Sequence, residues 1–89
     1  MSEPDAPAEQ VKFPVVVHFK IIGEVSEDLR THLEIALWEL RIAETLHPGR
    51  LSAGGKYMTF NLSMTVQSAE SLREIDARLR AVTGVKMVL

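Results

Sequence analysis

Cysteine is absent from the 89 residues, which excludes disulfides, thiol nucleophiles and thiolate metal sites. Aromatic residues are scarce: three Phe, one Tyr and one Trp. A chain so poor in rings has little on which to stack unpaired bases. An excess of one charge is also missing. Ten Lys and Arg against twelve Asp and Glu leave a formal charge of -2, which argues against broad attraction to nucleic acid or to an anionic membrane. No apolar run approaches the roughly 18 residues that a membrane-spanning helix needs. The first residues, Ser2, Glu3, Pro4 and Asp5, lack the basic-then-apolar layout of a secretory signal. The expectation is a soluble cytoplasmic protein with no membrane partner.

What is present suffices for one folded domain. The hydrophobic share is 46%, ordinary for a globular chain. Residues 1–12 hold Glu3, Asp5 and Glu9 with Pro4 and Pro7, and read as a disordered N-terminal tail. The domain is expected to cover residues 13–89, beginning at Phe13-Pro14.

Residues 15–22 alternate as a strand. Val15, Val17, Phe19 and Ile21 share one face, and Val16, His18, Lys20 and Ile22 the other. Gly23 is expected to break it. Ser26 is placed to cap a helix, and Leu29, Leu33, Ala36, Leu37 and Leu40 recur at helical spacing. Residues 56–67 form the clearest strand, with Met58, Phe60, Leu62, Met64 and Val66 alternating with polar residues and Tyr57. Ser52-Ala53-Gly54-Gly55 supplies the turn before it.

Ser68 caps a second helix with the stripe Leu72, Ile75, Leu79 and Val82. Glu74–Arg78 and Asp76–Arg80 are spaced as i,i+4 ion pairs, and Gly84 suits the position after the helix end. Residues 85–89 close the chain as a short strand, with Val85, Met87 and Leu89 on one face. Residues 41–55 fit either an extended first helix or an edge strand near 43–51. The edge strand is preferred, because β-α-β-β-α-β order then folds as a ferredoxin-like α+β sandwich. That architecture is an antiparallel four-stranded sheet with two helices on one face. Pro48 suits an edge, since proline cannot donate a ladder hydrogen bond.

No catalytic constellation emerges, and the expectation is a non-enzymatic protein without cofactor or metal. Copper-chaperone modules need a CxxC pair. Acylphosphatases hold phosphate with an arginine after the first strand, where this chain has Gly23-Glu24-Val25. Gly54-Gly55-Lys56 fails as a phosphate loop, since Tyr57 and a strand follow instead of Ser or Thr and a helix. His18, His32 and His47 have no metal-ligand spacing. No serine sits in a GxSxG elbow.

Two surfaces remain. One is the open sheet face: His18 and Lys20 from the first strand, Tyr57, Thr59, Asn61, Ser63 and Thr65 from the long one, and Lys86 from the last. Tyr57 is expected opposite or diagonal to His18. The other is the outer side of the first helix, where Thr31, Ile35 and Trp38 oppose the core stripe. Trp38 either stands free there, as tryptophans at interfaces do, or folds over the helix end onto the edge strand. The candidate binding residues are Ile35, Trp38, His18, Lys20, Tyr57 and Asn61.

The chain resembles the YbeD-like proteins, small bacterial proteins of unknown function. The resemblance is carried by Phe13-Pro14, Lys20 and Gly23, Gly55 and Tyr57, Phe60-Asn61, Ser63-Met64 and the terminal Val85-Lys86-Met87-Val88-Leu89. It spans residues 13–89. It implies a ferredoxin-like fold similar to ACT regulatory domains, which bind small effectors and usually act as paired modules. Members are often labelled lipoate regulators, and no family catalytic residue carries over. The reading is a regulatory or interaction domain for a protein partner or small effector, with a homodimer among the possibilities. The alternative is a nucleic-acid-binding module using the open sheet face.

Overall fold

Alternation of apolar and polar side chains makes two ten-residue strands, and helical spacing makes two amphipathic helices between shorter strands. The computed structural model describes residues 12–89. The expected tail falls almost wholly on residues 1–11, which lie outside the described residues. The elements in chain order are β1 (Val15–Glu24), α1 (Leu29–Glu39), β2 (His47–Leu51), β3 (Tyr57–Val66), α2 (Ala69–Arg80) and β4 (Val85–Val88). The strands form one antiparallel sheet in the order β2-β3-β1-β4. This is the ferredoxin-like sandwich.

β1 and β3 pair along their whole lengths, from Val15 opposite Val66 to Glu24 opposite Tyr57. That register puts Phe19, Ile21, Phe60, Leu62, Met64 and Val66 on one side, where they are buried. Leu29, Leu33, Ala36 and Leu37 of α1 and Ile75 and Leu79 of α2 close the core over them. Leu46, Val82 and Val88 complete it. No charged or polar residue is buried among the described residues, so the core carries no desolvated charge to compensate.

Helix ends follow local chemistry. The Ser68 hydroxyl accepts from the Ser71 backbone N–H at 3.1 Å and caps α2. The Ser26 hydroxyl accepts from the Asp28 N–H at 3.0 Å, so it turns the chain two residues earlier, and Asp28 takes the N-cap position without a side-chain bond. At the far end of α1, the Arg41 N–H donates to the Trp38 carbonyl at 3.0 Å and the Ile42 N–H to the Leu37 carbonyl at 2.8 Å. This is a Schellman closure, which needs a left-handed residue after the cap. Arg41 fills that place with φ of 63°, where glycine is the usual occupant.

Several expectations shift. Gly23 does not end β1. It is buried within the strand, beside an irregularity in the pairing with β4. A Cβ there would stand 2.7 Å from the Gly84 carbonyl oxygen and 2.7 Å from a Leu29 methyl; the glycine is needed for close approach. That same irregularity shifts the last strand. Val85 faces Gly23 while Met87 faces Ile22, so Met87 and Leu89 point to the open side and Val88 into the core. β2 begins at His47 rather than near residue 43, because the Schellman closure sends the chain off α1 through an extended link anchored by buried Leu46. Gly84 (φ 94°) lies beyond the position after the α2 cap. It shapes the turn in which the Val85 N–H donates to the Val82 carbonyl. Asp76–Arg80 forms at 2.8 Å, but Arg78 leaves Glu74 and reaches Glu39 on α1.

Replacing Gly23 by Ala should cost about 1–3 kcal/mol, the range for forcing an extra carbon into a packed site. Gly54, with open space around it, should tolerate Ala within about 1 kcal/mol. Urea unfolding of both variants checks the contrast; equal stabilities would contradict the close approach.

Candidate functional site

With both helices on one side, the other side of the sheet is uncovered among the described residues. Its composition follows from register. Lys20 sits opposite Asn61, and Asn61 opposite His47. On the other edge Leu89 exchanges both backbone hydrogen bonds with Lys20, at 3.0 and 2.9 Å. One row, Leu89, Lys20, Asn61, His47, therefore crosses the whole sheet. His18 lies beside it, sharing a 2.6 Å hydrogen bond through Nδ1 with the Ser63 hydroxyl.

The structure thus gathers His18, Lys20 and Asn61, all exposed. It does not bring Tyr57 to them. Tyr57 is opposite Glu24, not His18. It lies six residues along β3 from Ser63, or about 20 Å at the rise of a strand. The paired-ring platform of an RNA-binding sheet is not formed. Lys86 turns to Glu24 at 3.3 Å. Part of this face is apolar: Val16, Met87 and Leu89 are 57%, 46% and 65% exposed. Alternation places Val16 there; Met87 and Leu89 reach it through the bulge, which the sequence does not announce.

The second surface is the outer side of α1. Trp38 is 80% exposed and Ile35 48%; Trp38 stands free and does not fold onto β2. Shallow hollows flank its indole. One, of about 670 Å³, is bordered by Glu39, Arg41, Ile42 and Ala43. The other, of about 340 Å³, reaches from Glu34 to Leu46. A smaller hollow touches Ile35 and lies against Arg78 and Val82. The three histidines stand on β1, α1 and β2, and among the described residues no group of three or more His, Asp or Glu is placed to hold a metal. No helix of the described residues is long and apolar enough to cross a membrane.

The comparisons with known proteins fit this geometry. Residues 8–89 match the family model described as a protein of unknown function, DUF493. The chain belongs to the DUF493 family. Two Pseudomonas putida proteins named UPF0250 are 34% identical over 91 residues and 37% identical over 98, each across 100% of both chains. A UPF0250 protein of Shewanella woodyi is 28% identical over 81 residues, covering 91% of this chain and 92% of its own. These relatives agree with the YbeD-like resemblance. Among solved structures, a Helicobacter pylori protein superposes with a TM-score of 0.76 at 19% identity over 98% of each chain. The ACT domain from the GTP pyrophosphokinase of Chlorobium tepidum gives 0.62 at 22% identity, over 83% of this chain and 94% of its own. At such identities the likeness shows the fold, and the DUF493 domain is ACT-like in fold.

Because Trp38 and Ile35 are exposed and lie outside the core cluster, Trp38→Ala with Ile35→Ser should leave the unfolding free energy of this DUF493 chain within about 1 kcal/mol, as for surface sites generally. Urea unfolding at low protein concentration tests this. A loss of several kcal/mol would place both side chains in the core.

Proposed function

We propose that this protein is a non-enzymatic regulatory or interaction domain that binds a protein partner or small effector through its sheet face. The observation that carries this reading is the uncovered row Leu89, Lys20, Asn61 and His47. Around it, exposed Val16 and Met87 mix apolar area with hydrogen-bonding side chains. Such a mixture suits recognition: apolar area supplies burial, and Asn61, Lys20 and His18 fix orientation. The ACT-like fold supports the reading by analogy of architecture only, since one fold hosts many functions. The formal charge of -2 and the isolation of Tyr57 count against nucleic acid on the same face.

A photo-cross-linking amino acid at position 61, with position 73 on the exposed side of α2 as control, tests this in the cells that make the protein. The expected result is a discrete adduct from position 61 that disappears in the Lys20→Glu background, and none from position 73. Indistinguishable, diffuse labelling from both positions would overturn the reading.

A further inference from the structure

We infer that α1 is a self-pairing surface: two copies of this chain meet across a two-fold axis with their α1 helices antiparallel, each Trp38 seated beside the other copy's Ile35. The inference goes beyond the interaction reading and uses a different face, so either can fail alone.

Three observations carry it. The first is shape. A two-fold interface places one patch against itself, so the patch must hold both the projection and the recess. Trp38 projects, 80% exposed, and a hollow touching Ile35, bordered by His32, Arg78, Ala81 and Val82, lies where the other copy's Trp38 falls. The second is spacing. Thr31, Ile35 and Trp38 follow at four and three residues along the outer side of α1, the stagger by which one helix seam meets another. The third is charge. In the antiparallel arrangement with Ile35 against Trp38, Arg41 of one copy falls within a turn of Glu34 of the other, and the symmetry repeats the pair.

Arg41 is the most informative residue of the patch. It holds a left-handed conformation, φ of 63°, at a position where glycine would be less strained. Its guanidinium makes no ion pair among the described residues, and it borders the hollow beside Trp38. Locally, then, the arginine is unrewarded. In the pair it meets a carboxylate. Glu34 is only loosely held, by Arg30 at 3.2 Å with both side chains about half exposed, so it is free to shift to the better partner.

The pair is expected to be weak. An 11-residue helix is about 16 Å long, and a contact of that length falls below the area of standard stable interfaces. Light scattering should therefore run from about 1 µM to about 1 mM, alongside emission and acrylamide quenching of Trp38, the chain's single tryptophan. The expected result is a mass rising from 9.9 kDa toward twice that value. Over the same concentrations, Trp38 emission should move to shorter wavelength and quenching should fall. Ile35→Glu should abolish the rise with an unchanged circular dichroism spectrum. Arg41→Glu should weaken it, and Arg41→Glu with Glu34→Arg should restore it.

A mass that stays at one chain throughout would overturn the pairing. So would a doubled mass with Trp38 still fully quenchable, or one that survives Ile35→Glu. Should Ile35→Glu fail to fold, the Trp38 emission and the charge exchange decide alone. A monomer that still cross-links from position 61 would sink the pairing and keep the interaction reading. The reverse result would keep the pairing and sink the sheet-face reading.

Discussion

The ten-residue antiparallel pairing of β1 with β3 is the constraint on which the rest of the molecule depends. Because side chains alternate along a strand, one register decides every facing at once, and a slip of one residue would turn the apolar set outward. In the register observed, Phe19 and Ile21 meet Leu62 and Phe60 beneath the helices. The same step fixes Lys20 beside Asn61 on the other side. Core and polar row are therefore not independent features. The hydrophobic burial that holds the domain together also fixes which face each polar side chain takes, and the His18–Ser63 hydrogen bond adds to that.

Gly23 shows how tightly that sheet is tied to the helix layer. At this glycine β1 passes close to both the Gly84 carbonyl and Leu29, the first residue of α1. The β1–β4 irregularity occurs at the same place, as bulges do where a strand must bend against a neighbour. The consequence reaches the open face. By inserting one residue, the bulge turns Met87 and Leu89 outward and Val88 inward. An apolar edge is thereby added to a face whose apolar side chains otherwise lie mainly on β1.

Most of this architecture was legible in the residues. Alternation gave both long strands, helical spacing gave α1 and α2, and the need for a fourth strand located β2 despite Pro48. What escaped was set by contacts distant in sequence. No local pattern states that Gly23 lies under Leu29, that Arg78 prefers Glu39 on the other helix to Glu74 on its own, or that the β4 register slips by one. Tyr57 illustrates the same limit: its face was readable from parity, but its distance from His18 depended on register. The surfaces themselves were legible, since Trp38 and Ile35 oppose the α1 core stripe by simple angular arithmetic. The hollow beside Trp38 was not, because it lies at the left-handed Arg41 that ends α1, and arginine does not advertise that conformation.

The edges of the sheet bear on how such a domain associates. β2 spans five residues, includes Pro48, and pairs with β3 through a register shift; β4 spans four, with a bulge of its own. Short, irregular or proline-bearing edges are poor templates for adding a strand. Association by extending the sheet is disfavoured at both ends, which leaves the two broad faces. These faces differ in kind. The sheet face offers dispersed apolar area around a polar row, suited to a ligand that must be oriented. The α1 face offers one large projecting ring, an adjacent recess and a cation unpaired among the described residues, which suits a partner of fixed shape. A molecule that pairs through α1 would leave both sheet faces open and directed away from each other, so that one assembly would present two identical open sheets at once.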